Sequence, residues 1–315
     1  MFDVMTLGES MVVFAPTENT TIRYAPTMGK RVAGAESNTA IGLSKLGKKV
    51  GWFSRLGNDS FGEYILHELG GHGVDTSSVI ICDELPTGIM FKEPTIDQQT
   101  NVYYYRKGSA ASAMSKTDLP LEQVKQTKIL LVSGITPALS PSCKEAMFEV
   151  IKVAKQNNVI VSFDPNLRLK LWREAEARKT LTEMLALSDI VLLGDDEANV
   201  LLGTKEPELI ISKLKDLGVS KIAVKLGDKG AVVSDGNETH HIAPLPATVV
   251  DAIGAGDAFN AGFLYGVLEH KSMKESGEIA AVMGACAVST MGDIEGLPSL
   301  GQLEAVLNKE AKVYR

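Results

Sequence analysis

The sequence predicts a three-layer α/β fold: a mostly parallel central sheet covered by helices on both faces, with a small separate β-sheet as a lid. Three observations carry this. From Ile129 onward, short and continuously apolar runs alternate with amphipathic helical patterns, the rhythm of a parallel sheet buried on both faces. The first apolar run, residues 4–7, is of the same kind. Two stretches, 11–32 and 87–106, break the rhythm with short alternating pieces rich in β-formers. The expected division is a core of residues 1–10, 33–86 and 112–315, interrupted twice by a lid of residues 11–32 and 87–111.

The elements follow in order. Residues 4–7 read as a buried strand ended by Gly8-Glu9. Across 11–32, Pro16 and Pro26 punctuate strands and turns outside the main sheet. A helix is expected over 37–46: Ala40, Leu43 and Leu46 share a face, Ser37 or Asn38 can cap it, and Gly47 ends it. Residues 50–54 form a strand, and 60–69 a helix closed by Gly70-Gly71. The runs 87–92 and 100–106, separated by a polar turn, read as an antiparallel pair. Strands at 129–132, 159–163, 190–193 and 222–226 then alternate with helices at 141–156, 174–187, 195–202 and 208–217. Pro141 suits the first turn of its helix. A further strand at 231–234 precedes helices at 255–268, 274–289 and 300–308.

Composition excludes several function classes. The 315 residues carry a formal net charge of −7, without the basic face of a nucleic-acid binder. No apolar run reaches the ~18 residues of a membrane span. The N-terminus starts with a strand pattern rather than a charged and then apolar leader. Cys82, Cys143 and Cys286 are odd in number and widely spaced, as suits reduced core thiols, so a cytoplasmic location is expected. The five histidines fall at no metal-ligand spacing, and no Ser-His-Asp pattern stands out.

Chemistry concentrates where small residues meet a helix start. Gly254, Ala255 and Gly256 precede an apolar helical pattern, so the turn can bare backbone N–H groups at a helix N-terminus, an anion site. Asp257, at the mouth of that site, can accept a proton from a hydroxyl attacking phosphorus. The plainer alternative is a helix cap on a glycine turn. In an open α/β sheet, ligands bind beyond the carboxyl ends of the strands. Gly8-Glu9, Ser133-Gly134, Asp164-Pro165-Asn166, Gly194-Asp195 and Gly227-Asp228 all fall there. Arg106 lies in the lid and Arg168 beyond a strand end. A lid folded over the sheet edge brings both to one pocket, where their planar forks suit a carboxylate. The alternative is a pair of solvated surface residues.

Two separated motifs resemble the signatures of the ribokinase-like (PfkB) carbohydrate kinases. One is Gly254-Ala255-Gly256-Asp257-Ala258-Phe259. The other is Gly34-Ala35-Glu36-Ser37-Asn38-Thr39-Ala40 with Leu46-Gly47, Gly57-Asn58-Asp59 and Phe61-Gly62. Within the family, three segments look like the branch acting on the sugar acid 2-keto-3-deoxygluconate. They are Tyr104-Tyr105-Arg106-Lys107-Gly108-Ser109-Ala110, Ser133-Gly134-Ile135-Thr136-Pro137-Ala138-Leu139-Ser140, and Asp164-Pro165-Asn166-Leu167-Arg168.

The resemblance implies an ATP- and magnesium-dependent kinase of a small sugar acid, with Asp257 as base and the Gly254, Ala255 and Gly256 amides on the transferring phosphoryl group. Gly34, Asn38, Tyr104, Arg106, Arg168 and Asp257 would contact the sugar acid. Met90 would be a lid contact or plain lid packing, and Asp293 a further substrate contact or a loop turn residue. Asn166, Arg168, Lys225, Gly227, Gly230 and the Gly254–Gly256 turn would meet the nucleotide. The run from Lys225 to Gly230 also reads as a hairpin turn.

Two positions depart from the family pattern. Ala252 stands where a hydroxyl, Pro or Val is usual. Gly194 replaces the Asn of an Asn-x-x-Glu motif, leaving Glu197 to act on the metal through water. The rivals are another sugar kinase such as a fructokinase, and a sugar-binding regulator without turnover. A dehydrogenase does not fit, because residues 4–7 are not followed by Gly-x-Gly-x-x-Gly. An exposed lid edge can pair with a second copy, which allows a homodimer or larger assembly.

Overall fold

The computed structural model describes residues 1–18, 20–94 and 100–308. Its strands are β1 (Val4–Leu7), β2 (Met11–Pro16), β3 (Met28–Ala33), β4 (Val50–Phe53), β5 (Arg55–Gly57), β6 (Ile80–Cys82), β7 (Ile89–Pro94), β8 (Thr100–Tyr105), β9 (Ile129–Ser133), β10 (Ile160–Asp164), β11 (Ile190–Gly194), β12 (Lys221–Lys225), β13 (Ala231–Ser234) and β14 (Thr239–Ile242). The central sheet runs β14-β13-β12-β11-β10-β9-β1-β4. Every pairing from β4 across to β12 is parallel, and β13 and β14 add an antiparallel edge.

The inner strands are apolar at nearly every position because both faces are covered. Successive side chains point to opposite faces. Leu131 and Leu192 pack with Ile41, Leu264 and Met283 from the helices Ala35–Lys45, Ala255–Leu268 and Met273–Val288. Leu130, Val132, Val191 and Leu193 face the other way, onto Met147, Leu185 and Leu214 of Pro141–Gln156, Glu174–Ala186 and Pro207–Asp216. The Pro141–Gln156 helix starts where the sequence places it: Ser140 Oγ accepts from Cys143 N at 3.1 Å, with Pro141 at the first position.

The two stretches outside this rhythm join in one four-stranded sheet, ordered β3-β2-β7-β8. The β2/β3 and β7/β8 pairs are antiparallel and β2/β7 is parallel. Met11, Val13, Ala33 and Met90 form its small buried cluster. Phe14 stacks on Phe91 at 5.5 Å and meets Phe61 edge-on at 5.8 Å, so the sheet is anchored to the Ser60–Gly71 helix. The expected polar turn between β7 and β8 falls on 95–99, outside the described residues.

Two local expectations are corrected, and one strand pairing is additional. Ser37 and Asn38 lie inside their helix rather than capping it; Gly34 is the N-cap, and their side chains are turned to other partners. The Ser60–Gly71 helix runs through both glycines, with Asp59 capping it through Phe61 N and Gly62 N. The short parallel pair β5/β6 was not expected at all.

Candidate functional site

Carboxyl ends of five strands converge on one cavity of about 380 Å³. Glu9 follows β1, Ile135 follows β9, and Asp164, Asn166 and Arg168 follow β10. Glu197 comes after β11 and Lys225 ends β12. The N-termini of Ala35–Lys45 and Ala255–Leu268 add Gly34, Asn38, Gly254, Gly256 and Asp257. The four-stranded sheet closes the opposite side with Met90, Tyr104 and Arg106. Two larger hollows of about 840 and 680 Å³ lie along Glu174–Ala186, lined by mixed lysine and glutamate side chains. Neither collects the glycine turn or the buried carboxylates.

The start of the Ala255–Leu268 helix is fixed by its loop. Ile253 N donates to Asp251 Oδ1 at 3.0 Å, and Gly292 N donates to Asp251 Oδ2 at 3.3 Å. This ties the turn to the loop carrying Asp293. Gly254 caps the helix at φ 84°. A Cβ there would lie 2.6 Å from the Asp293 carbonyl oxygen, so both conformation and space demand glycine.

Asp257 follows in the first turn, 9% exposed. Burial pushes its carboxyl up to about 7, and the charges of Asp164 and Asp293 push the same way. Asn38 Nδ2 opposes the shift, donating to Asp257 Oδ2 at 2.8 Å, and so does Lys225. A carboxyl poised near neutrality at a helix N-terminus can exchange a proton with a hydroxyl at physiological pH.

Asp164 organises the middle of the cavity. Its Oδ2 accepts from Asn260 Nδ2 at 2.6 Å and from Lys225 Nζ at 3.3 Å, while its Oδ1 accepts from Asn166 N at 3.1 Å. Lys225 Nζ also reaches Asn260 Oδ1 at 3.3 Å and lies 3.7 Å from where a Cβ on Gly256 would stand. Its ammonium thus sits beside the glycine turn. Asn166 adopts φ 37°, and its buried Oδ1 has no hydrogen-bond partner among the described residues. Glu197 accepts from Leu167 N at 2.7 Å and Gly194 N at 2.8 Å, one bond per oxygen. Burial and then Asp164 raise its carboxyl pKa. Among the described residues no group of three His, Cys, Asp or Glu side chains could hold a metal alone.

At the far end, Arg106 is 9% exposed and paired with Glu9. Its Nε lies 2.6 Å from Glu9 Oε2, and Ser109 Oγ donates to the other oxygen. Arg106 also sits 5.4 Å over the Tyr104 ring. Arg168 is exposed, with Nη1 on its neighbour's carbonyl at 3.3 Å.

Most residues expected from the sequence therefore line the cavity: Gly34, Asn38, Met90, Tyr104, Arg106, Asn166, Arg168, Glu197, Lys225, Gly254, Gly256, Asp257 and Asp293. Ala255 lies between two of them. Gly227 and Gly230 are not in the lining. They make the turn into β13, where Gly230 has φ 87° and a Cβ would collide with Ile242 O. Glu9 and Asp164 were expected at the ligand edge but given no role, and Lys92 and Asn260 were not expected at the site. Glu9 and Asp164 carried a signal, their place at strand ends. Lys92 and Asn260 carried none, being single polar residues in a strand and a helix.

The family model described as pfkB family carbohydrate kinase matches residues 1–300. The 2-dehydro-3-deoxygluconokinase of Bacillus subtilis (strain 168) is 37% identical over 99% of this chain and 98% of its own length. That of Thermoproteus tenax is 32% identical over 98% of this chain and 94% of its own. Among solved structures, a putative Ribokinase II from E. coli in complex with ATP and magnesium superposes with a TM-score of 0.92. It is 26% identical and covers 98% of this chain and 100% of its own.

Proposed function

Because the chain belongs to the pfkB family carbohydrate kinases, we propose that its cavity phosphorylates 2-keto-3-deoxygluconate (2-dehydro-3-deoxygluconate) at the terminal hydroxyl, with ATP as donor. The observation that carries the reading is Asp257: a buried carboxyl raised to about 7, in the first turn of a helix whose glycine turn faces the same cavity. Asp257 takes the proton of the attacking hydroxyl. The hydroxyl oxygen bonds to the γ-phosphorus as the bond to the departing ADP oxygen breaks. The Gly254, Ala255 and Gly256 amides face the negative charge of the transferring group, with Lys225 beside them.

The sugar acid lies between Asp257 and the four-stranded sheet, which we propose acts as the lid. Gly34, Asn38 and Asp293 hold its hydroxyl end, Tyr104 and Met90 cover it, and Arg168 with Arg106 receives its carboxylate. Glu9 already offsets part of the Arg106 charge, so Arg168 is the freer cation of the two. The nucleotide runs from the glycine turn past Lys225 and the open Asn166 Oδ1 toward the Gly227–Gly230 turn.

The donor set also fits magnesium carried on phosphates rather than caged by protein. Asp164 and Glu197 place two mutually repelling carboxylates beside Lys225, and both Glu197 oxygens already accept backbone N–H groups. Glu197 would reach the ion through water, and the ion would neutralise phosphate charge. Coupled ADP release with a panel of sugars and sugar acids tests the reading. 2-Keto-3-deoxygluconate should be the best substrate, and a clear preference for a neutral sugar such as fructose would overturn it.

A further inference from the structure

One buried charge from the four-stranded sheet is not used by that mechanism. Lys92 lies on β7, two residues after Met90 and therefore on the same face. It is 8% exposed, and its Nζ pairs with Asp293 Oδ1. The other oxygen of Asp293 accepts from Asn38 Nδ2 at 3.4 Å. The same Asn38 nitrogen donates to Asp257 Oδ2 at 2.8 Å. One amide nitrogen carries two N–H groups, so it can serve both carboxylates. Asn38 Oδ1 is buried without a partner among the described residues, so these two donations are what orient the amide.

We infer that Lys92 is a positioning residue for phosphoryl transfer, linking the lid sheet to Asp257 through Asp293 and Asn38. The inference rests on the reading of Asp257 as the base. Lys92 holds the Asp293 carboxylate, and the Asn38 amide shared by Asp293 and Asp257 carries that link to the base. Lys92 also balances a negative charge that faces the base. The groups facing Asp257 are Asn38 from Ala35–Lys45, Asp164 from β10, Lys225 from β12 and Asp293 from the loop after Met273–Val288. Within this set the positive charge comes from Lys225 directly and from Lys92 through Asp293.

The test is the pH profile of kcat/KM, which reports the free enzyme's base. Lys92→Met keeps an apolar stem and removes the charge. Its acidic limb should move up by about one unit, a shift at the low end for an uncovered neighbouring charge. From a starting point of about 7, activity at pH 7 should then fall about five-fold, while the alkaline plateau stays within about three-fold of wild type. Lys92→Arg should keep the wild-type limb. If Lys92→Met does not fold, Lys92→Met/Asp293→Asn removes both charges, and its limb should lie below wild type.

A loss uniform over pH, an unmoved limb in Lys92→Met, or a double variant whose limb is not lowered would overturn the inference. Asp257→Asn measured alongside separates the two failures. Turnover retained there defeats the base assignment and this inference with it. Turnover lost there with an unmoved Lys92→Met limb defeats only Lys92.

Discussion

Asp257→Asn should lower activity and raise stability at once. Unfolded, the carboxyl titrates near 3.8; folded, it holds its proton to about 7. Between these values the native state binds more protons than the unfolded state, so stability falls as pH rises through that window. Above pH 7 the penalty is complete. The shift of about 3 units corresponds to a ceiling of about 4 kcal/mol at 1.36 kcal/mol per unit. Asparagine removes the charge and can still accept the Asn38 hydrogen bond, but it adds a buried amide N–H₂ group, so about half the ceiling is expected. A gain of ~2 kcal/mol should raise Tm at pH 8 by about 3 °C in a chain of this size. The gain should shrink as pH falls toward 4. Meanwhile kcat should drop by at least about a hundredfold, since amide cannot take the proton. Thermal melts at pH 8 and pH 4.5, with coupled ADP release at pH 7.5, give both readouts. A folded variant with near-normal turnover removes Asp257 as the base. A variant with unchanged or lower Tm at pH 8 shows that the carboxylate is not held at a cost, and the argument from burial fails.

Other outcomes follow from the same geometry. In wild type, kcat/KM should rise with pH through about 7, set by the ionisation of Asp257. Arg168→Ala should cut kcat/KM for 2-keto-3-deoxygluconate roughly ten- to a hundredfold, at ~1.5–3 kcal/mol per charge-assisted bond, and cut fructose activity far less. Equal losses on both substrates would make Arg168 a phosphate or structural residue. Gly254→Ala should lose most kcat and some Tm, because φ 84° and the Asp293 oxygen leave no room for a methyl group; wild-type kcat would refute that. If the four-stranded sheet closes as a lid, amide exchange in β2, β7 and β8 should slow on saturation with the sugar acid, and unchanged protection would count against closure.

The fold was largely legible because its signals are local. The apolar runs of β9 and β11, the Ser140-Pro141 start and the glycine turn at Gly254 each state their own structure within a few residues. The β5/β6 pair left no comparable trace, since three residues with no sustained alternation resemble any turn. The site divides along the same line. Glycines, the helix-start aspartate and the strand-end residues announce themselves by motif or by place in the sheet. What the sequence does not announce is which charge answers which. Arg106 reads as a free fork for a carboxylate, yet it already holds Glu9, 97 positions away. Lys92 reads as one more alternating polar residue, yet it is buried against Asp293, 201 positions away. Asn38 reads as a helix cap because Asn favours that role, but its amide is drawn to two carboxylates that arrive only when the chain folds. These pairings are made by tertiary structure, and they set the charge balance at both ends of the cavity. On the proposed reading, substrate choice turns on how much of the Arg106 charge Glu9 leaves available. Replacing Glu9 with Gln should therefore favour the sugar acid over fructose by a larger factor than in wild type. A fall in that factor would show that Glu9 serves the sugar acid by orienting Arg106 rather than by tempering its charge.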